Sequence, residues 1–345
     1  MRKFIVKSII FLSPFVILYI LIPCFYSAEY DQGDIYRMGY YQKDDHYRTQ
    51  FQNEFHRPVY YTNMSSIDTC IESKYTVLLL GDSFSEWRGF NFQNYLAKDD
   101  TISTLYYDIG GNPVEILYAL INGNFFDEIS IDYVVLQSVE RDFLTRADLN
   151  PNSRMTLNEI RQTVKTIKKQ PDGFRKNIPL DNSVVKFPGI NAIRLIKKGR
   201  TAAVYQFEAT KPVFSSKHGN RILIYEMDVY HLPRNSDTTA IAKLNDVLNR
   251  LSELVSEKGS RLIVLPAPDK YSIYYDYIED REKYPQPVFC NILKSLEKQY
   301  IYIDSDDILK KAVSSGTKDV YFADDTHWSP VGAKLIAEAV KSKMK

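Results

Sequence analysis

The chain has 345 residues, 44% of them hydrophobic, with 44 basic and 43 acidic side chains and a formal net charge of +1. This length and apolar content predict a folded protein with a substantial core. The balanced total excludes a protein that binds nucleic acid through its overall charge. The charge is unevenly spread, because residues 151–220 hold fourteen Lys or Arg against four Asp or Glu, a local net charge of +10.

The cysteines, Cys24, Cys70 and Cys290, are too few for a disulfide framework and lack metal-ligand spacing. A Cys70–Cys290 bridge would need an oxidising compartment, and two buried thiols are the alternative. The chain contains neither a His-Glu-x-x-His motif nor a Gly-rich phosphate loop. We therefore predict no metal site and no cofactor.

The N-terminus has the pattern of a membrane anchor. Arg2, Lys3 and Lys7 precede an uncharged, mostly apolar run over residues 8–26, long enough to cross a bilayer. The basic flank predicts a cytoplasmic N-terminus and an exported chain, so nucleic acid is not an expected partner. The alternative is a signal peptide cleaved after Ala28. The bulky Tyr26 at the −3 position of that site argues against cleavage, because small residues are typical there. Residues 1–28 are thus predicted to be a single-pass anchor in the inner (cytoplasmic) membrane, with a periplasmic or extracytoplasmic domain.

Residues 29–69 are rich in Tyr, Asp, Gln and Arg and predict a stalk or a wrapping segment. Beyond them, short β-branched runs alternate with helical patterns. The predicted strands are 76–80, 102–107, 133–137, 221–225, 261–265 and 300–303. The predicted helices are 113–121, 238–258 and 331–343. This alternation predicts an α/β fold with a mostly parallel sheet and helices on both faces.

Residues 145–219 interrupt this alternation: they begin with a helical pattern at 153–169 and continue through a segment at 187–199. They have too little apolar content for a second domain and predict a basic insertion within a domain at 70–345. Three interpretations are open for the basic character. The insertion could bind an anionic polysaccharide, lie on an anionic bilayer around residues 187–198, or form a solvated face.

The first motif that could form part of an active site is Leu-Leu-Leu-Gly-Asp-Ser-Phe-Ser-Glu at residues 78–86. A buried strand that runs directly into Gly81, Asp82 and Ser83 puts Ser83 at the carboxyl edge of the sheet, where α/β proteins bind ligands. Gly81 permits a sharp turn. The alternative is that Ser83 only caps the following helix.

The second motif is Asp-Asp-Thr-His-Trp-Ser-Pro at residues 324–330. A serine nucleophile needs a general base that a carboxylate orients. His327 with Asp325 or Asp324 would supply both groups from one loop.

Together these blocks resemble the signatures of the SGNH/GDSL hydrolase superfamily. Trp after the His, with Pro-Asp-Lys-Tyr-Ser-Ile-Tyr at 268–274 and Val-Glu-Arg-Asp-Phe at 139–143, is similar to the alginate O-acetyltransferase-like branch. The resemblance covers residues 70–345 outside the insertion and implies an SGNH-like three-layer sandwich. The motif order differs from that branch, since Asp-x-His here follows Gly-Asp-Ser, and the usual Gly-x-Asn-Asp block is replaced by Gln-Ser-Val-Glu-Arg at 137–141.

The resemblance also implies residue roles. Ser83 would be the nucleophile and His327 the base. Asp325, which fits the Asp-x-His spacing of the branch and is accompanied by Trp328, is the favoured acid. Asp324, which fits the Asp-x-x-His spacing of the wider superfamily, is the alternative. The oxyanion would be bound by the Ser83 amide and by the turn after the second strand, with a side-chain donor beside them. The candidates at these positions, and for substrate binding, are Gly110, Gly111, Asn112, Arg141 and Lys270. Arg141 could instead pair with Glu140.

The implied activity is O-acetyl transfer to an exopolysaccharide or cell-envelope glycan through an acyl-enzyme. The acceptor would be a polysaccharide, and because cytosolic acetyl-CoA lies across the membrane, the acetyl donor would be a membrane-bound acyltransferase partner. Tyr271, Tyr274, Tyr275 and Tyr277 offer flat faces for sugar rings. The alternatives are a carbohydrate esterase with the same triad, or a non-catalytic polysaccharide-export scaffold in which Ser83 is dispensable.

Overall fold

The computed structural model describes residues 1–27, 32–66, 72–86, 89–147, 151–169, 183–197 and 199–344. The strands are β1 (Thr62–Asn63), β2 (Lys74–Leu80), β3 (Thr104–Tyr106), β4 (Ser130–Val139), β5 (Val204–Glu208), β6 (Arg221–Tyr225), β7 (Arg261–Ala267) and β8 (Ile301–Tyr302). The helices are α1 (Arg2–Phe25), α2 (Asp34–Met38), α3 (Asp45–Thr49), α4 (Gln52–Phe55), α5 (Ser83–Glu86), α6 (Phe92–Ala97), α7 (Pro113–Asn122), α8 (Phe125–Glu128), α9 (Glu140–Arg146), α10 (Leu157–Lys169), α11 (Ser183–Ile196), α12 (Glu226–Tyr230), α13 (Thr238–Glu257), α14 (Lys270–Tyr274), α15 (Phe289–Ser295), α16 (Ser305–Ser314) and α17 (Pro330–Ser342).

Six strands form one sheet in the order β1-β3-β2-β4-β7-β8, and every neighbouring pair is parallel. The predicted α/β class is confirmed. From β2 onward the chain first moves to β3 on one side and then to β4 on the other. A crevice opens at the carboxyl ends of the two strands where the direction reverses, and such a switch point is where this topology binds ligands. Here the switch point lies between β2 and β4.

Both faces of the sheet are covered, which explains the near-continuous apolar strands. In β2, Leu78 and Leu80 pack with α7 and α13, whereas Val77 and Leu79 pack with α6 and α17. Successive side chains of a strand point to opposite faces, so both faces must be apolar when helices cover both. The result is a three-layer arrangement of helices, sheet and helices.

The predicted strand at 221–225 is present as β6 but does not join the parallel sheet. It pairs antiparallel with β5, from Val204↔Tyr225 to Glu208↔Arg221. Antiparallel pairing needs only a short connection, which the insertion provides by placing β5 close before β6 in sequence. The alternation of strands and helices therefore placed β6 in the wrong sheet, and it did not reveal β1, which is the sixth strand of the parallel sheet.

The N-terminal segment after α1 packs on the core as well. Strand β1 joins the edge of the sheet beside β3, and the α2–α4 stretch contributes the buried side chains of Tyr36, Tyr47 and Phe51. Over residues 32–66 the predicted wrapping segment thus supplies a strand and part of the core, although the predicted domain began at residue 70.

Helix α1 is long and apolar enough to cross a membrane. Its 24 residues extend over about 36 Å, and nearly all of its side chains are exposed. In the insertion, α10 packs on the core through Leu157, Ile160 and Val164. Cys24 is exposed and Cys290 is buried, while Cys70 lies outside the described residues, so the bridge stays untested.

Candidate active site

The nucleophile turn follows directly from the end of β2. Gly81 is required there, because a Cβ would lie 2.3 Å from Ser85 Oγ and 2.6 Å from Gln137 Oε1. The chain then enters α5, whose first residue is Ser83. The Ser83 side chain thereby lies at the carboxyl edge of the sheet, at the switch point.

Asp82 ties this turn to β4 and α9. Its carboxylate accepts hydrogen bonds from the Phe84 amide (3.0 Å), the Gln137 amide group (2.9 Å) and the Val139 amide (2.7 Å), and it pairs with Arg146. Burial opposes the charge, but Arg146 and these donors hold the pKa of Asp82 below its usual value. Asp82 is a positioning residue for the turn, a role that the sequence motif alone did not reveal.

Gln137 lies at the strand end where the SGNH resemblance would place the Gly-x-Asn-Asp block that this chain lacks. Its side-chain oxygen accepts from the Asp82 amide at 3.0 Å and from Ser85 Oγ at 2.7 Å. The residue therefore braces the nucleophile turn from behind.

The residues that follow His327 anchor the histidine loop. Trp328 is buried, packs edge-on against Phe84 and donates from Nε1 to Asn91 Oδ1 at 2.9 Å. Ser329 then caps α17 by accepting from the Val331 amide, with Pro330 at the first helical position. Trp328 is thus a packing anchor that fixes the loop beside α5.

These two loops bring a serine, a histidine and a carboxylate into one hydrogen-bonded chain. His327 Nε2 lies 2.8 Å from Ser83 Oγ, and His327 Nδ1 lies 2.6 Å from Asp325 Oδ1. The His327 amide also donates to Asp325 Oδ1, at 3.1 Å. This is the arrangement in which a histidine accepts a proton from a serine while a carboxylate holds its tautomer.

Asp325, not Asp324, is the carboxylate in contact with the imidazole. Asp324 turns away, and its Oδ2 accepts from Arg48 Nε at 2.8 Å and from the Gly33 amide at 3.2 Å. The structure therefore distinguishes the two candidates that spacing left open: Asp325 orients His327, and Asp324 holds the wrapping segment.

Arg48, on α3, is a site residue that sequence reasoning missed. Its Nη2 donates to Asp325 Oδ2 at 3.2 Å while its Nε holds Asp324, so one guanidinium group orients both carboxylates. It also lies over the Phe322 ring, 4.3 Å from the centroid. No local motif signals this role, because Arg48 is far from residue 325 in sequence and only the tertiary fold joins them.

Asp34, at the start of α2, is a second missed residue. It accepts from the Thr326 amide at 2.8 Å, its own amide donates to Asp325 Oδ2 at 3.2 Å, and its Oδ2 lies 3.8 Å from His327 Nδ1. Burial and the neighbouring Asp325 raise the pKa of Asp34 to about 7. A second carboxylate therefore faces the imidazole.

The electrostatics favour an ion pair once the imidazole is protonated. Burial disfavours imidazolium, but Asp325 and Asp34 outweigh it and raise the pKa of His327 above its ordinary value. Burial likewise disfavours the Asp325 anion, yet His327 and Arg48 hold its pKa well below the usual range. Asp325 is thus charged at any pH at which His327 acts.

Asp34, Asp325 and His327 also lie close enough together to share a metal ion. Both ring nitrogens of His327 are, however, occupied by Ser83 and Asp325. The geometry therefore suits proton transfer between Ser83 and His327 better than it suits metal coordination.

Two of the predicted oxyanion residues, Gly110 and Gly111, line a cavity of about 250 Å³ beside the nucleophile turn. Gly110 and Gly111 have φ of 84° and 106° and share the lining with Gly81, Glu86 and Asp108. The oxyanion role of the glycine turn stays a prediction.

Asn112 is engaged structurally. It caps α7 by accepting from the Val114 amide at 3.1 Å, and its amide group donates to the Arg146 carbonyl at 3.0 Å. Its position fastens the glycine turn between α7 and α9.

Arg141 and Lys270 are buried behind the site. Arg141 pairs with Asp269 at 2.7 Å and with Asp228 at 3.2 Å; Glu140, the alternative partner from sequence, instead accepts from the Asp269 amide at 2.9 Å. These contacts join the ends of β4 and β7 to α12.

Lys270 donates to the carbonyls of Ala323 and Asp325, both at 3.1 Å. It is completely buried, so it supports the catalytic loop instead of reaching a bulky substrate. Tyr271 and Tyr274 are buried too, which corrects the expectation that they offer faces to sugar rings.

The C-terminal part of the chain matches a known protein family. Residues 225–345 match the model of the SGNH hydrolase-like domain of acetyltransferase AlgX. The predicted resemblance is confirmed over this range. The match includes Asp325 and His327 but begins after Ser83, so it is narrower than the predicted 70–345, and it supports an enzyme of the hydrolase or acetyltransferase type. Searches of curated proteins and of solved structures give no match.

Asp325→Asn is expected to lower kcat by about 10⁴-fold, because the amide can stabilise the wrong histidine tautomer. Asp324→Asn, its matched control, should cost roughly tenfold or less. Its remaining side-chain oxygen can still accept from Arg48 and the Gly33 amide, so the loss is about 1.5 kcal/mol or less. Hydrolysis of a chromogenic acetyl ester measures both. Equal losses would contradict the assignment of Asp325.

Asp34→Asn should move the acidic limb of the kcat/KM profile to lower pH. The Asp34 anion stabilises imidazolium and raises the pKa of His327, so its removal lets the neutral base persist in more acidic solution. Asp132→Asn, at the opposite end of β4, is the control and should leave the limb in place. An unmoved limb in the Asp34 variant would show that Asp34 does not act on His327.

Proposed function

We propose that this chain is a membrane-anchored O-acetyltransferase that modifies an exopolysaccharide or a cell-envelope glycan outside the cytoplasm. The observation that carries the proposal is His327, which bridges Ser83 and Asp325 at the switch point of the sheet. The match to the SGNH hydrolase-like domain of an acetyltransferase supports the reaction class.

In the first half-reaction, Ser83 Oγ attacks the carbonyl carbon of the donor's acetyl group and gives its proton to His327 Nε2. The bond from the acetyl carbon to the donor oxygen or sulfur then breaks, and His327 returns the proton to that leaving atom. The products are an acetylated Ser83 and a free donor carrier. Amides of the Ser83 and glycine turns would stabilise the intermediate oxyanion.

In the second half-reaction, a sugar hydroxyl takes the place of the donor. His327 removes its proton as the oxygen attacks the acetyl carbon, and the proton passes to Ser83 Oγ when the ester to Ser83 breaks. The cavity of about 250 Å³ beside Gly81 is slightly smaller than typical small-ligand pockets, which begin at about 300 Å³, and so suits one sugar unit. Its Glu86 and Asp108 side chains offer acceptors to sugar hydroxyls.

The acetyl donor follows from the proposed topology. With Arg2, Lys3 and Lys7 in the cytoplasm, the active site would be separated from cytosolic acetyl-CoA by the bilayer. A membrane-bound acyltransferase partner would then deliver the acetyl group to Ser83.

The decisive experiment gives the full-length chain, in detergent micelles, a chromogenic acetyl ester with and without candidate glycan oligosaccharides. Ser83→Ala should lower acetyl release by at least about 10³-fold, whereas Ser314→Ala, an exposed serine of α16, should match the wild type. For a transferase, mass spectrometry should find the acetyl group on the oligosaccharide.

Ser83-dependent release to water alone would favour the alternative carbohydrate esterase. Turnover that survives Ser83→Ala would exclude the nucleophile, and absence of turnover in every sample would favour a non-catalytic export scaffold.

Membrane anchorage has its own test. The full-length chain should stay in the membrane pellet after alkaline carbonate extraction, and a C-terminal alkaline phosphatase fusion should be active because it folds outside the cytoplasm. Deletion of residues 2–25 should abolish both results. Recovery of a soluble exported chain that lacks its N-terminus would instead identify α1 as a cleaved signal peptide.

A further inference from the structure

A second cavity, of about 260 Å³, lies on the insertion side of the molecule, outside the catalytic residues. It is formed where the wrapping segment meets α11 and the β5–β6 hairpin, and its lining includes Lys43, Arg194, Lys217 and Arg221 against a single carboxylate, Asp44. That carboxylate is already used, since it caps α3 by accepting from the Tyr47 amide. We call this cavity the basic pocket.

The two arginines of the basic pocket are held beside the same aromatic ring. Their guanidinium carbons lie 3.7 Å (Arg194) and 5.2 Å (Arg221) from the centroid of the Tyr41 ring. Within the described part of the chain neither forms an ion pair: Arg194 donates to Asn191 Oδ1 and to backbone carbonyls, and Arg221 donates to the Tyr36 hydroxyl. Like charges held this way favour binding of an anion.

Arg194 has a donor left over. Its Nε is buried and has no hydrogen-bond partner among the described residues. Burial lowers the pKa of Arg194, and the charge of Arg221 adds to this effect. A planar guanidinium with a free N–H and a neighbouring cation matches the oxygens of a phosphate group.

The basic pocket also lies where α1 ends. The Lys43 amide donates to the carbonyl of Phe25, the last residue of α1, at 2.9 Å. Tyr26 then stacks on Tyr40 and contacts Phe187 of α11, with ring centroids 5.5 and 5.3 Å apart. Since interfacial aromatic residues mark the headgroup level of a bilayer, the pocket would face lipid headgroups.

Helix α11 carries apolar side chains suited to the same surface. Leu195 and Ile196 are almost fully exposed, and Val185 is largely exposed, while the helix packs against α1. Apolar side chains beside lysines and arginines are typical of a helix that lies in the bilayer interface.

We propose that the basic pocket binds the phosphate of an anionic phospholipid headgroup and thereby holds the catalytic domain against the membrane surface. The inference rests on the membrane anchorage in the proposed function. It selects, among the three interpretations of the basic insertion, the one in which the segment around residues 187–198 lies on the bilayer.

The test uses the full-length chain in neutral detergent micelles and native mass spectrometry of bound lipid. Phosphatidylglycerol should bind saturably and more tightly than phosphatidylcholine. The double variant R194Q/R221Q should bind phosphatidylglycerol about 10- to 30-fold more weakly. The matched control R161Q/K165Q removes two charges from α10, outside the pocket, and should bind like the wild type.

Arg194 also donates hydrogen bonds to backbone carbonyls, so its replacement could disturb the fold. A second variant therefore removes two other positive charges of the basic pocket, those of Lys43 and Lys217. K43Q/K217Q should weaken binding in the same direction by a smaller factor. Ser83-dependent acetyl release, measured on the same samples, should be unchanged, so failure of lipid binding and failure of the proposed catalysis are distinguishable.

Four results would overturn the proposal: equal lipid affinity in wild type and R194Q/R221Q, an equal loss in the α10 control, inorganic phosphate that binds as tightly as the lipid and displaces it, or an anionic oligosaccharide that binds more tightly. The phosphate result would identify a site for a free anion, and the oligosaccharide result a polysaccharide site.

Discussion

The site depends on one chain of buried contacts, in which Arg48 orients Asp325, Asp325 orients His327, and His327 Nε2 lies within hydrogen-bond distance of Ser83 Oγ. The members come from three parts of the sequence, namely α3, the nucleophile turn and the histidine loop. Burial makes each charge costly alone, so the chain of partners must be complete for any member to be stable. The wrapping segment consequently contributes Arg48 to the candidate site, even though the recognisable motifs lie in the α/β domain.

Behind this chain, the fold supplies rigid support at the carboxyl ends of three neighbouring strands. Asp82 and Gln137 lock the nucleophile turn after β2 to β4, Arg141 joins β4 to β7, and Lys270 holds the backbone of the histidine loop. These buried polar contacts hold the loops that carry Ser83 and His327 in position at the switch point.

Sequence reasoning reached the α/β class and located Ser83 and His327 because strands buried on both faces leave continuous apolar runs, and because the two motifs follow or precede recognisable elements. It favoured Asp325 over Asp324 because Trp328 accompanies the Asp-x-His spacing, but both spacings suit a loop and only the side-chain directions decide between them. Asp34 and Arg48 were missed because their role arises from long-range contacts without local periodicity. Strand β6 was assigned to the wrong sheet because an apolar run does not reveal its pairing partner.

The proposed function requires Ser83 to carry the acetyl group between donor and acceptor. Rapid quenching of the full-length chain with an acetyl ester, followed by peptide mass spectrometry, tests this directly. We expect one acetyl group on the peptide that contains Ser83, absent from Ser83→Ala and lost when a competent sugar acceptor is added. Acetylation at another residue, or at the same level in Ser83→Ala, would contradict it.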